Sequence, residues 1–228
     1  MDKRIHICIP VAERTTSKAI SASKDYQRLG ADLLEFRIDF LDEPDADMVG
    51  EVLEEIELPV IATNRVSSEG GYFEGAEEER INLLLAAASQ ADYVDIELNT
   101  SNHLRQKVIQ ASPQTIISYH NFQETPSMLT LRKIIEKEKK LGDLAKFAVT
   151  PLNWEDSLKV LKLTLEYEDT LGLAMGEYGK YTRVLAPLFG APFTYASGDR
   201  DTAPGQMDLK TTRFILDEFM LKNKDNSP

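Results

Sequence analysis

Eight short apolar segments alternate with eight segments of helical character, and this alternation restricts the fold of the chain more than any other feature of its sequence. The apolar segments, predicted as strands, are residues 5–11, 33–39, 60–63, 93–98, 115–120, 144–150, 171–175 and 193–195. The predicted helices are residues 21–29, 45–56, 76–88, 101–110, 126–142, 154–167, 180–185 and 206–221. Strands that alternate regularly with helices form a parallel sheet covered by those helices. The sequence therefore predicts a protein of the α/β class.

Eight strand–helix units favour a (β/α)8 TIM barrel over the alternative, an open doubly wound sheet. A doubly wound sheet usually has fewer strands and a glycine-rich turn after the first one. Here the first predicted strand runs into the sequence PVAER at residues 10–14, which contains no glycine. The chain has 228 residues, at the compact end for barrels of about 250 residues. We expect a single barrel domain over residues 1–228, with residues 222–228 as a frayed polar tail.

The charge and the apolar content of the chain exclude several classes of partner. A net charge of −12 argues against nucleic acid or an anionic membrane as a partner, because both require a basic surface. The least polar run, residues 83–90, is too short to span a bilayer, and the first residues do not resemble a signal peptide. Cys8, the single cysteine, cannot form an internal disulfide. These features predict a cytoplasmic protein.

Alternation within the predicted strands identifies the side chains that would point into a barrel. In the second strand, Leu34 and Phe36 form an apolar face for the helices, whereas Glu35 and Arg37 point inward near the carboxyl end, where barrel active sites lie. The same pattern places these side chains inside: Asp95, Glu97, Ser118, His120, Lys146, Thr150, Leu173, Met175, Tyr195 and Ser197. The lumen is therefore predicted to be polar, with several ionisable groups and one amine.

Lys146 is the most informative of these residues, because it lies within a strand predicted to be buried on both faces. A buried ammonium is costly unless it is paired or loses its proton. A desolvated lysine close to other cations becomes an amine nucleophile towards carbonyl groups. The sequence thus favours an enzyme that forms a Schiff base. In the alternative interpretation, Lys146 only neutralises Asp95 or Glu97 in a structural ion pair.

Six short motifs, taken together and in this order, resemble the type I 3-dehydroquinate dehydratases (3-dehydroquinases). The resemblance runs along nearly the whole chain, and each motif lies at a predicted strand end. The motifs are EFRID at 35–39, NR at 64–65 with EGG at 69–71, SYHNF at 118–122, KFAV at 146–149, MG at 175–176 with Gly179 and Arg183, and APGQ at 203–206. Singly, Glu35–Arg37 could be a structural ion pair, His120 a strand cap and the EGG motif a turn.

The resemblance implies a single (β/α)8 barrel that converts 3-dehydroquinate, a small anionic substrate, to 3-dehydroshikimate and water. It implies a lyase of the hydro-lyase class that works through a Schiff base, without a metal or an organic cofactor. It also implies a place in the shikimate pathway of aromatic amino acid biosynthesis, with a catabolic role in the use of quinate as the alternative. Barrels of this family are commonly homodimers, and a homodimer is expected here.

The resemblance further implies roles for individual residues. Lys146 matches the lysine that condenses with the ketone, His120 the general base and acid, and Glu69 the acidic residue that orients the histidine. Arg183 matches the arginine that grips the substrate carboxylate, as a guanidinium fork suits. The other matches bind the substrate, line its pocket or close over it: Glu35, Arg37, Arg65, Gln206, Phe122, Met175, Tyr195, Thr202 and Ala203.

Three residues depart from the pattern that is common in the family. Serine is common in the family at the position of Thr202, phenylalanine at Tyr195 and methionine at Leu173.

Three arginines near the pocket mouth would attract an anionic substrate, and their field, if it reaches Lys146, would favour an uncharged amine. These arginines are Arg37, Arg65 and Arg183.

Two other functions are compatible with a barrel that contains this lysine. A class I aldolase would share both, but Glu177 and Asp199 follow the last two predicted strands and would repel the phosphate that many aldolase substrates carry. A non-catalytic barrel could bind a small anion through its arginines. Only the dehydratase and the aldolase predict a covalent adduct on Lys146.

Overall fold

Eight parallel strands form one sheet that curls into a nearly closed barrel, in a computed structural model that describes residues 4–198 and 204–221. The strands are β1 His6–Val11, β2 Leu33–Arg37, β3 Val60–Thr63, β4 Tyr93–Glu97, β5 Thr115–Asn121, β6 Leu144–Val149, β7 Thr170–Ala174 and β8 Phe193–Tyr195. The hydrogen-bonded order is β7-β6-β5-β4-β3-β2-β1-β8, and all the pairs are parallel. The predicted (β/α)8 barrel is confirmed.

A helix follows each strand and covers the outside of the sheet. The helices are α1 Thr16–Leu29, α2 Ala46–Glu54, α3 Glu77–Ala87, α4 Asn102–Ala111, α5 Met128–Leu141, α6 Trp154–Glu166, α7 Thr182–Leu185 and α8 Leu209–Leu221. In the described ranges, no helix combines the length and the apolar character needed to cross a membrane. The tail predicted at residues 222–228 lies outside the described residues.

Two predicted helix starts are wrong, and a capping side chain explains each. Helix α1 begins at Thr16 rather than at residue 21, because the Thr15 hydroxyl accepts a hydrogen bond from the Lys18 backbone N–H at 3.4 Å. Helix α8 begins at Leu209 rather than at residue 206, because the Asp208 carboxylate accepts the Thr211 N–H at 2.9 Å. Polar side chains at helix ends, rather than apolar periodicity, set these boundaries.

The core has two apolar layers, one outside the strands and one inside the barrel. Outward side chains of the strands, such as Leu34 and Phe36, pack against the helices. Inside, the lower part of the barrel is filled with buried apolar side chains: Cys8, Leu33, Ile61, Ile116, Leu144, Leu171 and Phe193. Burial of one such large side chain stabilises the fold by about 1.5–3 kcal/mol. The polar inward residues lie above this layer, at the carboxyl ends of the strands.

Candidate active site

A cavity opens at the carboxyl ends of the strands, with an empty volume of about 520 Å³ that includes its open mouth. The residues that line it are Glu35, Arg37, Arg65, Glu69, Gly70, His120, Phe122, Lys146, Ala148, Leu173, Met175, Arg183, Tyr195 and Gln206. Every predicted site residue that the structure describes is in this wall. Thr202 and Ala203, the remaining two, lie outside the described residues.

Lys146 lies on β6 at the floor of the cavity, and only 4% of its surface is exposed. Its Nζ donates hydrogen bonds to Asp95 Oδ2 at 2.9 Å, Tyr195 Oη at 3.1 Å and Glu35 Oε1 at 3.3 Å. The predicted burial of this strand is confirmed, since all its residues are buried. The alternative interpretation, in which Lys146 forms a structural ion pair, agrees with the structure in one respect, because Lys146 pairs with Asp95. Its other suggested partner, Glu97, pairs with arginines instead.

Asp95 and Glu97 on β4 belong to a buried network of charges beneath the cavity. Arg65 donates to Asp95 Oδ1 at 2.7 Å, to Glu97 Oε1 at 2.8 Å and to the Ser118 hydroxyl at 2.7 Å. Arg80 donates to the other oxygen of Glu97 at 2.8 Å. Burial raises the pKa of the Asp95 carboxyl, but the charges of Arg65 and Lys146 outweigh it and hold that pKa well below its usual range. Asp95 is therefore an anion at any working pH.

His120, near the end of β5, is held by a single oxygen of Glu69. Glu69 Oε2 accepts the backbone N–H of His120 at 3.0 Å and lies 3.0 Å from its ring Nδ1. The other carboxyl oxygen of Glu69 accepts a hydrogen bond from Asn99 Nδ2 at 3.0 Å. Because Nδ1 is engaged, Nε2 is the ring nitrogen left for exchange of a proton with a ligand.

The surroundings of this pair favour the neutral form of each partner. Burial, with the positive charges of Arg65 and Lys146, lowers the pKa of His120 well below its usual value. Burial raises the pKa of Glu69 to about 7, and the negative charge of Glu97 adds to that rise. A neutral imidazole can take up a proton from carbon at Nε2 when its own ring proton is on Nδ1, which requires Glu69 in its ionised form.

The two outer arginines of the cavity are held in different ways. Arg37 forms a fork with Asp39, from Nε to Oδ1 at 2.8 Å and from Nη2 to Oδ2 at 2.7 Å, and its guanidinium lies 4.8 Å from the ring centroid of Phe40. Arg183, on α7 and only 2% exposed, donates from Nη2 to the Pro204 carbonyl at 3.4 Å. The guanidinium of Arg183 thus lies on the cavity wall, next to the backbone carbonyl of Pro204.

The expected field of the arginines is partly cancelled by carboxylates. Arg37 and Arg65 are in ion pairs, so the amine of Lys146 has Asp95 and Glu35 as its nearest charged partners. The expectation that arginine charge favours a neutral amine at Lys146 stays a prediction. At His120 the charge of Arg65 contributes to the lowered pKa.

Comparison with known proteins identifies the family. Residues 7–223 match the family model described as type I 3-dehydroquinase. The chain belongs to the type I 3-dehydroquinase family. A 3-dehydroquinate dehydratase of Methanothermobacter thermautotrophicus is 50% identical over 214 residues, which cover 94% of this chain and 97% of that protein. Another, of Methanobrevibacter smithii, is 45% identical over 216 residues, with coverage of 95% and 96%.

Solved structures agree with this family. The structure of the type I 3-dehydroquinate dehydratase of Clostridium difficile, with covalently modified comenic acid, has a TM-score of 0.89 and a sequence identity of 26% to this chain. The match covers 96% of this chain and 94% of that one. The resemblance inferred from six motifs is thus confirmed for the whole 3-dehydroquinase barrel.

Two adjacent glycines allow the loop after β3 to enter the site of this 3-dehydroquinase. Gly70 has φ of +81°, and a Cβ there would lie 2.3 Å from Cζ of Phe122. A Cβ on Gly71 would lie 1.8 Å from the carbonyl oxygen of Arg65. Only glycine permits both approaches, so the EGG motif is more than an ordinary turn. It brings Glu69 to His120 and leaves space for the Phe122 ring, whose centroid is 6.5 Å from that of His120.

The structure also shows contacts that the sequence does not predict. Asn99 holds Glu69 from a turn after β4, and no motif marks it. Arg80, in the first turns of α3, is 1% exposed and ties Glu97 to the Asn64 carbonyl. A charged residue on the same helix face as the buried Leu84 and Ala87 is the signal that could have identified Arg80. Thr150, predicted to face the lumen, lies beyond β6 and donates to the Asn121 carbonyl at 3.1 Å.

Among the described residues, no group of three or more histidine, cysteine, aspartate or glutamate side chains could hold a metal ion. The ionisable groups of the 3-dehydroquinase cavity are instead paired with arginines, with the lysine or with each other. What this arrangement offers a ligand is an amine, an imidazole and guanidinium groups around one space.

Proposed function

We propose that the chain is a 3-dehydroquinate dehydratase, a hydro-lyase that forms a Schiff base between Lys146 and the ketone of 3-dehydroquinate. One observation carries the proposal: the amine of Lys146, the His120–Glu69 pair and the Arg183 guanidinium all line the same cavity. Membership in the 3-dehydroquinase family and the names of the relatives support the same substrate.

Imine formation is the first task of the site. Lys146 attacks as the neutral amine, so its ammonium first releases one proton to water in the open cavity, and the groups in contact with Nζ are Asp95, Glu35 and Tyr195. The amine then adds to the carbonyl carbon, and a proton taken back from water leaves with the hydroxyl group as water, which gives a protonated imine. Asp95 remains an anion throughout, so its charge stabilises each cationic nitrogen species that forms beside it.

Proton transfer at carbon is the second task, and we assign it to His120. The protonated imine withdraws electrons from the adjacent carbon, and His120 Nε2 takes a proton from that carbon to leave an enamine. The enamine expels the neighbouring hydroxyl, to which His120 returns the proton, so one molecule of water leaves. Hydrolysis of the imine then releases 3-dehydroshikimate and restores Lys146. General acid–base transfer of this kind typically contributes a factor of about 10²–10⁴ in rate.

Binding and orientation of the anion fall to arginine. A guanidinium can bind a carboxylate with two parallel hydrogen bonds, and we assign this role to Arg183. Glu35, Arg37, Arg65 and Gln206 are proposed to bind or frame the ring hydroxyls, and Phe122, Met175 and Tyr195 to contact its apolar faces. The shikimate pathway, the cytoplasm, the homodimer and the single-domain organisation stay predictions.

The decisive experiment follows product and adduct together. The protein is mixed with 3-dehydroquinate, and the absorbance of the conjugated enone carboxylate is recorded. A second sample is treated with borohydride and mapped by mass spectrometry. We expect absorbance to rise and the adduct to be on Lys146. Lys146→Ala should give neither signal, whereas His120→Ala should retain the adduct but lose most of the turnover.

Each other outcome would replace the proposal with a named alternative. Release of an aldehyde would indicate an aldolase. Reversible binding of quinate without any adduct would indicate a non-catalytic anion-binding barrel. An adduct on a lysine other than Lys146 would show that Lys146 serves as the structural partner of Asp95.

A further inference from the structure

We propose that the hydroxyl of Tyr195 relays a proton from the Lys146 nitrogen to the ketone oxygen of the substrate when the amine adds to the carbonyl. This inference rests on the proposed function and goes beyond it, because the family resemblance assigns Tyr195 only to an apolar wall of the pocket. The relevant difference from the phenylalanine common in the family is a single oxygen atom.

That oxygen lies at the reacting nitrogen. Tyr195 is 3% exposed, and its Oη is 3.1 Å from Lys146 Nζ. The ring of Phe193 packs on the ring of Tyr195 with a centroid distance of 5.7 Å, and the strand that carries both residues pairs with β1, where Cys8 is the register partner of Tyr195. Nζ also lies 4.7 Å from the ring centroid. The hydroxyl is therefore held beside Nζ by packing on rigid strands.

Three groups accept hydrogen bonds from Nζ, and the phenol differs from the two carboxylates because it can also donate a hydrogen bond. A carboxylate only accepts hydrogen bonds, whereas a hydroxyl accepts one and donates another at the same time. Asp95 already accepts bonds from Arg65 and Ser118 and is permanently ionised. Burial, with the negative charge of Glu35, raises the pKa of Tyr195 well above its usual value. The phenol thus keeps its proton and can act as a relay but not as a base.

The step balances without any other reactant. As the neutral amine adds to the carbonyl carbon, the C–N bond forms and the π electrons of the C=O bond move to oxygen. The nitrogen, now positively charged, gives a proton to Tyr195 Oη, while the phenol proton passes to the oxygen. The product is a neutral carbinolamine, and Tyr195 is unchanged. The reverse transfer serves the hydrolysis of the product imine.

The test is Tyr195→Phe, which keeps the ring and removes only the hydroxyl. The matched control is Tyr93→Phe, which removes a hydroxyl at the other end of the barrel, where Tyr93 begins β4. In a rapid-quench experiment with 3-dehydroquinate and borohydride, we expect Tyr195→Phe to form the imine about 100-fold more slowly, as for loss of proton-transfer assistance. KM and the thermal midpoint should be unchanged, and Tyr93→Phe should behave as wild type.

A second measurement separates a relay from a packing effect. Imine formation by the wild type should slow in deuterium oxide, and this solvent isotope effect should shrink in Tyr195→Phe. Imine formation at the wild-type rate in Tyr195→Phe, or an unchanged isotope effect, would overturn the relay. In either case the wild-type adduct on Lys146 would still support the proposed function, whereas failure of the wild type to form that adduct would remove both proposals.

Discussion

Glu69 Oε2 lies 3.0 Å from His120 Nδ1 and also accepts the backbone N–H of His120 at 3.0 Å. One oxygen therefore fixes both the position of the ring and the protonation of its inner nitrogen. When Glu69 is ionised, its carboxylate accepts a hydrogen bond from Nδ1–H of His120, and Nε2 keeps its lone pair. When Glu69 is protonated, it donates to Nδ1, and the proton on the ring moves to Nε2, which can no longer act as a base.

This relationship predicts that activity rises with pH through the titration of Glu69. Its pKa is raised to about 7, so the ionised form that makes His120 a base appears as the pH rises above that value. His120 itself stays neutral there, because its own pKa is lowered. We expect an ascending limb near pH 7 in kcat/KM, and its loss in Glu69→Gln together with a drop in kcat of about 100-fold. A limb that persists unchanged in Glu69→Gln would assign the titration to another group.

A second prediction concerns the grip on the substrate carboxylate. Arg183→Ala should raise KM for 3-dehydroquinate by about 10–100-fold, because a charge-assisted fork is lost, with a smaller effect on kcat. Arg183→Lys keeps the positive charge but loses the two parallel hydrogen bonds, so its KM should lie between those of the wild type and Arg183→Ala. Steady-state kinetics measure both changes. Unaltered saturation in Arg183→Ala would place the carboxylate elsewhere in the cavity.

The glycine pair after β3 provides a third prediction. Gly71→Ala would force a Cβ to within 1.8 Å of the Arg65 carbonyl, so the loop that carries Glu69 must move. We expect activity to fall at least 100-fold and the thermal midpoint to decrease. The control is Gly50→Ala in α2, where a Cβ meets only Gln90 Nε2 at 3.6 Å. That change should stabilise the fold by about 0.5–1 kcal/mol. Equal behaviour of the two variants in calorimetry and in activity would contradict this account of the loop.

Glu138 on α5 leads to a prediction about stability. It is completely buried, and neither of its carboxyl oxygens has a hydrogen-bond partner among the described residues. Burial raises its pKa well above the usual value. The folded state therefore keeps this proton at pH values above 4.5, where the unfolded chain releases it, so Glu138 lowers stability as the pH rises.

Glu138→Met should accordingly raise the free energy of unfolding by about 1–3 kcal/mol at pH 7 and by less at pH 4. Glu136→Gln, an exposed change on the same helix, is the control and should have little effect at either pH. Urea unfolding at the two pH values measures the difference. A gain in stability that is the same at both would show that the carboxyl of Glu138 does not titrate in this way.

The sequence predicts the inward side chains well, because strand alternation is a local property. Glu35, His120 and Lys146 are all found inside the barrel, where the alternation of their own strands places them. The helix starts at Thr16 and Leu209 are less predictable, since single capping bonds set them. Local pattern thus predicts which face a residue occupies better than where its element begins.

Partners across the barrel are not predictable from local pattern. Tyr195 and Lys146 lie on β8 and β6, which are not neighbours in the sheet, so their contact depends on barrel curvature. The pairing of Arg65, just after β3, with Asp95 on β4 is another contact between separate elements, and nothing in the sequence spacing of the two residues reveals it. Such contacts depend on the three-dimensional path of the chain.

The layer of apolar side chains in the lower part of the barrel has a consequence for how small molecules reach the cavity. Cys8, Ile61 and Ile116 in that layer have no exposed surface, so among the described residues this layer closes the lower end of the barrel to solvent. In the part of the chain that the structure describes, the mouth at the carboxyl ends of the strands is therefore the route by which a ligand reaches Lys146 and by which a product leaves. A molecule bound in that mouth would block entry and exit together.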